Sequence, residues 1–517
     1  MLYLTVFLSG MSVLGIEFAA SRLLAPYFGT SLFVWANLIG LVLLYLTVGY
    51  WLGGRLADRF PRRTFLYQLT AWAAFFTGLV PLLSRPVLEL SARGFASYSL
   101  GVFWGSLLGV VLLLVIPITM LGCVSPLAIR IQVREVQSAG STAGTLYALS
   151  TLGSIAGAFL PVLLLIPNIG TTRTFMVFSI ALLLCSLAGL VLARSDSSPA
   201  QRPVPARRLY LYAAMLVIVL ILTAWRPSVI RAAAYGELIY ETESAYNYIQ
   251  VVQYGPRLDL VLNEGHAVHS IYDPDQLLTG GPWDFFLVAP YFLPDRLESD
   301  VQSLLMLGSA AGTTLRQYTE VYGPIPLDGV EIDPRIIDIG RRFFHMTMPN
   351  ARLIAQDGRY FLRTTDRKYD VVAVDAYRQP YIPFQMTTRE FFTDIRDHLT
   401  PNGVVAINVG RTQNDYRLVN ALAATMKLVY PRVFAIDIPS AINSIVIATD
   451  ERGSLEAFQA NLGQLEHPIL QQVASVAGAN VREVAAAPAE TPVFTDDLAP
   501  VEQVIDQIIL GYIQVQE

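Results

Sequence analysis

Apolar residues dominate the chain from its start to about residue 226 and then break into short runs divided by polar turns. Seven of the early stretches approach the roughly 20 residues that a helix needs to cross a bilayer. They are Leu2–Ala20, Leu32–Leu52, Phe65–Leu83, Tyr98–Leu121, Thr145–Ile166, Thr174–Leu192 and Leu209–Trp225. Small residues four apart, as in Gly101/Gly105/Gly109 and Gly153/Gly157, suit close helix packing in lipid. A polar, proline-rich connector, Ser195 to Pro205, separates the sixth stretch from the seventh.

Beyond Trp225 the period changes. Glu237–Glu241, Tyr248–Tyr254, Leu258–Leu262 and Ala267–Tyr272 read as short strands, with turns at Gly255-Pro256 and Asn263-Glu264-Gly265. From Ser303 onward strands and helices alternate. Strands are expected at Leu304–Leu307, Leu327–Ile332, Arg352–Ala355, Asp370–Val374 and Val404–Val409, with a closing pair at Val433–Ile438 and Ser444–Ala448. Helices fall between them, as at Pro334–Phe344 and Arg389–Leu399. Such alternation implies a mostly parallel, doubly wound sheet. The expected organisation is a multi-pass α-helical membrane domain (1–226) and a small antiparallel β unit (227–300). An α/β Rossmann-like, methyltransferase-type domain (301–450) and a C-terminal helical tail (451–517) follow.

Composition supports the division. Hydrophobic residues make up 53% of the chain and charged ones 15%, against roughly 25% charged in soluble domains. The net charge of −5 gives no electrostatic case for nucleic acid. Cys123 and Cys185 both lie in or beside apolar stretches, so no disulfide framework or zinc site is expected. With five histidines in the chain, no His-rich metal site is expected. Arg55, Arg59, Arg62, Arg63, Arg130, Arg134, Arg194, Arg202, Arg207 and Arg208 follow even-numbered stretches; Arg22, Arg85, Arg93 and Arg173 follow odd-numbered ones. The bias places the N-terminus in the cytoplasm of a cell-membrane protein. Seven crossings would then carry the polar half to the far side, away from any cytosolic cofactor, so its side stays open. Glu17 lies inside the first stretch, where an acid must be paired, hydrated or used. The segment Gly53-Gly-Arg-Leu-Ala-Asp-Arg59 looks like the short loop between the second and third helices of major facilitator transporters. Both features support an alternative in which the chain transports or senses its ligand instead of transforming it.

The candidate chemistry begins at Ser303–Arg316. A buried strand runs into Gly308-x-Ala310-x-Gly312 and then a helix, a turn that lets backbone approach a ligand at a helix N-terminus. Acids follow at the ends of successive strands: Glu331 with Asp333, then Asp357 before Gly358, then Asp375. In doubly wound sheets ligands bind at those ends. A carboxylate about 20 residues after the glycine turn suits a ribose diol, since it accepts two O–H bonds. One such acid is readily a helix N-cap, above all Asp333 before Pro334. Three at successive strand ends point to a nucleoside site.

These residues are similar to those of the polyamine aminopropyltransferases, the spermidine synthase family, from about Tyr235 to Thr449. The membrane-fused branch is the nearest likeness. The resemblance implies transfer of an aminopropyl group from decarboxylated S-adenosylmethionine to a polyamine or other small amine, without a metal. It assigns Glu331 to the ribose, Asp357-Gly358 to adenine, and Gly308, Ala310 and Gly312 to the glycine turn. Asp375 becomes the base, with Tyr377 or Tyr246 orienting the acceptor. Ser244-Ala-Tyr-Asn247 corresponds to a segment lining the nucleoside pocket, with Asn247 in contact. Homodimers are common in the family. Three departures stand out. Ala311 replaces the turn's Asp. Arg378 replaces the second acid of Asp-x-x-Asp and would repel a diamine if it points into the pocket, but not if it points out or pairs with Glu264. Asn263-Glu-Gly-His-Ala-Val-His269 replaces an Asp-Gly-x-x-Gln segment. Ala311 raises methyl transfer from S-adenosylmethionine as the alternative reaction. Asp496 or Asp497, in Thr495–Glu502, are expected either to restore the missing charge or to cap the last helix.

Overall fold

The structure is a computed structural model. It describes all residues except 29–31, 96–100, 134, 196–204, 225–230, 264, 266, 378–380, 485–490 and 517. The chain divides into two compact units. One comprises Met1–Arg231 with Glu243–Tyr248, the other Ala232–Thr242 with Ile249–Glu517.

The first unit is helical: α1 (Leu2–Phe28), α2 (Leu32–Arg59), α3 (Arg63–Phe95), α4 (Gly101–Gly122), α5 (Val124–Gln132), α6 (Ala139–Leu160), α7 (Ile166–Ser195) and α8 (Ala206–Ala224). Among the described residues six helices are long and apolar enough to cross a membrane, where the sequence suggests seven. The difference lies in one element. Val136–Ala193 runs for 58 residues, far beyond one crossing, and its backbone leaves the helix at Gly170 (φ 82°, ψ 169°). That break separates the expected fifth and sixth stretches. Glycines set the packing, as their spacing suggests. A Cβ on Gly153 or Gly157 would lie 2.1 Å from Phe7 O or 2.0 Å from Met11 O, so α6 meets α1 backbone to backbone.

Segment 243–248 groups with these helices. The Glu243 carboxylate accepts from Thr171 N (2.9 Å) and Thr171 Oγ1 (3.0 Å), just past the Gly170 break. Arg22 Nη1 donates to Tyr246 O at 2.8 Å.

The second unit holds two sheets. Strands β1 (Glu237–Glu243), β2 (Tyr248–Tyr254), β3 (Arg257–Leu262) and β4 (Val268–Tyr272) lie in sequence order in the smaller one. Its β2/β3 and β3/β4 pairs are antiparallel. After a one-turn helix, α9 (Pro282–Phe285), the large sheet is wound from β5 (Leu304–Leu307), α10 (Thr313–Tyr322), β6 (Leu327–Glu331), α11 (Pro334–Phe343), β7 (Ala351–Ala355), α12 (Gly358–Thr364), β8 (Tyr369–Val374), α13 (Arg389–Asp397), β9 (Leu399–Gly410) and α14 (Arg417–Lys427). It closes with β10 (Arg432–Asp437), β11 (Asn443–Thr449), α15 (Leu455–Leu462), α16 (Pro468–Asn480), β12 (Val481–Glu483) and α17 (Val501–Gln516).

The strand order is β12-β10-β11-β9-β8-β5-β6-β7. Strands β5–β9 pair in parallel and β10, β11 and β12 run antiparallel. The order turns back at β5, which pairs with both β6 and β8; this is the crevice in which a doubly wound sheet binds ligands. The continuous apolar runs of the sequence are buried on both faces. Leu305 and Leu307 face a core shared with Phe391, Phe392 and Leu422. Leu304 and Met306 face a second core with Phe286, Phe292 and Phe458. The C-terminal segment is more than a helical tail, because β12 extends the sheet beside β10 and α15 and α16 contribute to the second core.

Candidate functional site

The end of β5 dictates the site. Leu307 leads into Gly308, whose φ of 85° favours glycine. A Cβ there would lie 2.5 Å from Asp375 O and 2.8 Å from Ala376 Cα. The missing side chain therefore lets the ends of β5 and β8 close on each other, and Asp375 N donates to Leu307 O at 2.9 Å. Ala310 follows with φ 44°, a conformation costly for a residue with a Cβ. Its N–H donates to Glu331 Oε2 at 3.0 Å. Gly312 (φ 92°) starts α10, and a Cβ on it would meet the Met346 side chain at 2.6 Å. The turn is clamped from β4: Ala311 N donates to Ser270 Oγ, and Thr313 Oγ1 exchanges hydrogen bonds with the backbone of Ile271.

Glu331 is buried, and its second oxygen, Oε1, accepts from Asp333 N at 3.1 Å. Burial pushes its carboxyl up to about 7. Each oxygen keeps acceptor capacity beyond its one backbone bond. Asp333 is the N-cap of α11, as its position before Pro334 suggests. Asp357 also caps: its Oδ1 accepts from Arg359 N (3.0 Å) and Tyr360 N (2.9 Å). Its proposed contact with a base would therefore have to be shared with a capping role. Gly358 lies over the end of β5, where a Cβ would be 3.5 Å from Leu307 Cδ2.

Asp375 is half-buried, and desolvation by its surroundings raises its carboxyl to about 6. Asn408 Nδ2 donates to its Oδ1 at 2.8 Å, and the Trp283 side chain supplies a second hydrogen bond. Asn443 Nδ2 in turn holds Asn408 Oδ1 at 3.0 Å, fixing the amide's orientation. Trp283 and Asn408 were not identified from sequence. Asn408 carried a signal, since a lone amide inside the apolar run Val404–Val409 must find a partner. The Tyr377 hydroxyl donates to Asn408 O (3.1 Å) and accepts from Gly410 N (2.7 Å). Its polar group is thus committed to β9 backbone, so it braces the β8 end instead of being available to orient an acceptor.

Glu331, Gly308, Ala310, Gly358 and Asp375 thus meet around the ends of β5, β6 and β8. Tyr246 and Asn247 belong to the first unit. Both donate backbone N–H groups to Ser244 Oγ, and the Tyr246 ring is exposed. Arg378, Glu264 and His266 lie outside the described residues. Asp496 does not restore a charge to the site. It forms a two-toothed ion pair with Arg359 (2.6 and 2.7 Å) and accepts from Thr388 Oγ1 (2.7 Å), the N-cap of α13. Arg359 holds the Asp496 carboxyl below its ordinary range. Among the described residues no cluster of His, Cys, Asp and Glu has the form of a metal site.

Residues 293–459 match the Spermine/spermidine synthase domain. A probable polyamine aminopropyl transferase of Bifidobacterium longum is 34% identical over 295 residues, 53% of this chain and 64% of that protein. The match thus takes in less than two thirds of that relative's length. A polyamine aminopropyltransferase of Vibrio vulnificus is 26% identical over 218 residues, 41% of this chain and 71% of its own. A solved structure, a probable spermidine synthase from Corynebacterium glutamicum, is 18% identical with a TM-score of 0.38, covering 50% of this chain and 99% of its own. Residues 293–459 are thus similar to the spermine/spermidine synthase domain.

Proposed function

We propose that this chain is a membrane-bound transferase that moves the aminopropyl group of decarboxylated S-adenosylmethionine to a small amine or polyamine. The observation that carries the reading is Asp375, a half-buried carboxylate at the switch point of the sheet, flanked by Gly308 and held by Asn408 and Trp283. An amine attacks only when neutral. In its carboxylate form Asp375 would take the proton as the new N–C bond forms and the C–S bond breaks, with the sulfur leaving as a neutral thioether nucleoside. The sulfonium is already a strong electrophile, so the protein's contribution is in-line placement and a dry, oriented base. Glu331, with an acceptor site left on each oxygen, is the group for the ribose diol.

One observation favours a second reaction. Ala311 is buried beside Ile336, Ile339 and Phe344, so no carboxylate stands where the family resemblance implies one for an ammonium. Methyl transfer from S-adenosylmethionine, whose tail carries a carboxylate, meets no repulsion there. Titration of the purified protein with each sulfonium nucleoside, followed by product analysis with amine acceptors, separates the two. Binding of neither would end the enzyme reading. The long apolar helices are read as the membrane anchor, with Val136–Ala193 crossing twice about Gly170.

A further inference from the structure

A diamine carries two ammonium groups, and each costs free energy to desolvate unless a carboxylate meets it. Asp375 accounts for one, Asp496 is committed to Arg359, and position 378 holds an arginine. A second negative group comes from an element outside the matched domain. Asp506 lies on α17, and its Oδ1 accepts from the Tyr381 hydroxyl at 2.7 Å. Its Oδ2 is shut off from solvent and has no hydrogen-bond partner among the described residues. Such an oxygen is costly to leave unmatched.

Its place in the fold is the ligand edge of the sheet. Tyr381 stands six residues after Asp375, in the loop leaving β8. Arg417, which opens α14 after β9, donates to Gln507 O at 2.8 Å and is itself occupied by Asp415. Tyr377 and Tyr381 pack on the core that also takes Val504, Ile505 and Ile508 of α17. The start of α17 is thereby fixed to the segments that follow the carboxyl ends of β8 and β9.

We propose that Asp506 is an acceptor-binding residue that takes the distal ammonium of a diamine, while the proximal amine is deprotonated at Asp375. The proposal rests on the aminopropyltransferase reading and adds to it a preference for dications over monoamines. Burial raises the Asp506 carboxyl, and an ammonium partner would reverse that.

The test uses the full chain in lipid nanodiscs with decarboxylated S-adenosylmethionine, and 1,4-diaminobutane or 1-aminobutane as acceptor. Asp506→Asn keeps the shape and an acceptor for Tyr381 but removes the charge. It should raise KM for the diamine about tenfold while kcat, the KM for the monoamine and nucleoside affinity stay within twofold. Tyr381→Phe removes the hydrogen bond, keeps the charge, and should change the diamine KM less. Equal losses with both amines, or an effect of Tyr381→Phe as large as that of Asp506→Asn, would reduce Asp506 to a structural contact and overturn the proposal. Direct titration with 1,4-diaminobutane reads the subsite without turnover. Tenfold weaker binding by Asp506→Asn supports it even if no transfer is seen, and equal binding overturns it even if transfer proceeds.

Discussion

Gly308→Ala tests whether the β5 turn and the catalytic carboxylate are one mechanical unit. Two penalties combine at this position. A φ of 85° is costly for alanine, about 1–2 kcal/mol by the left-handed steric penalty. The added Cβ would also stand 2.5 Å from Asp375 O and 2.7 Å from Asp375 C. Those are backbone atoms, and Asp375 N is bonded back to Leu307 O, so no rotamer change relieves the overlap. Forced overpacking adds about 1–3 kcal/mol, giving about 2–5 kcal/mol in all.

Two controls separate the penalties. Gly323 has φ 78° with nothing within 4 Å of a built Cβ, so Gly323→Ala carries the backbone penalty alone, about 1–2 kcal/mol. Gly358 has an ordinary φ and would meet the flexible end of Met386 at 3.1 Å and Leu307 at an ordinary 3.5 Å, so Gly358→Ala should cost under about 1 kcal/mol. Thermal unfolding followed by tryptophan fluorescence ranks the three, and turnover with saturating nucleoside reads the displacement of Asp375. A shift of about 1 Å in a reacting group can cost about 100-fold in rate. Gly308→Ala should therefore lose at least that, while Gly323→Ala keeps its turnover. If Gly308→Ala were no less stable than Gly323→Ala and equally active, the coupling of β5 to β8 would be refuted.

Asp375→Asn should abolish transfer yet leave nucleoside affinity unchanged, measured by single-turnover assay and titration. Wild-type kcat/KM should rise with pH through about 6, because the base acts only as carboxylate. The stability sign runs the other way. The folded carboxyl sits above its ordinary 3.8, so its neutral form is favoured by folding, and its contribution is lost as pH rises from about 4 through about 6. That displacement corresponds to about 3 kcal/mol, so Asp375→Asn should unfold at higher temperature than wild type at pH 8 and at the same temperature at pH 4. Nucleoside binding should weaken as pH falls below about 7, where Glu331 takes a proton, and Glu331→Gln should bind weakly with no such dependence in titrations between pH 5.5 and 8. Tyr377→Phe leaves Gly410 N and Asn408 O short of a partner and should destabilise by about 1–3 kcal/mol in thermal melts, with KM for nucleoside unchanged. Asp496→Ala strips Arg359 of its two-toothed partner and, allowing for Asp496's partial exposure, should cost about 1–2 kcal/mol; Asp497→Ala, outside that pair, should cost nothing measurable by the same melts.

The parts of the fold legible in the sequence were those with a period or a composition behind them. Buried runs such as Leu304–Leu307 and Val371–Val374 cannot face water on either side, which is why they announced a parallel sheet. The glycine turn was legible because Gly308 and Gly312 take conformations that favour glycine. The strand-end acids were legible as a group, but their division of labour was not. A residue letter does not say whether a carboxylate faces a helix terminus, as at Asp333 and Asp357, or a neighbouring strand's side-chain amide, as at Asp375. Nor could it show that Ala310 adopts a positive φ, held by the bond from its N–H to Glu331 and by the turn bond from Gly312 N to Ser309 O.

Charge at a distance in sequence was the least legible. Asp496 and Asp506 are ten residues apart and chemically identical, and the sequence offered Asp496 or Asp497, not Asp506, for the site. What decides between them is the partner each finds. Asp496 falls beside Arg359, a buried guanidinium whose own desolvation demands an anion, so its carboxylate is consumed in holding α12 to α13. Asp506 falls beside a tyrosine hydroxyl, which can satisfy one oxygen and no net charge. A carboxylate that is neutralised stabilises the fold; one that is hydrogen-bonded yet still carries its charge is available to a cation. Exchanging the two environments tests that distinction directly. Arg359→Met should release Asp496 without creating a diamine subsite, because Thr388 still holds it at the start of α13. Tyr381→Arg should neutralise Asp506 and raise the diamine KM as Asp506→Asn does, with the monoamine KM unaltered.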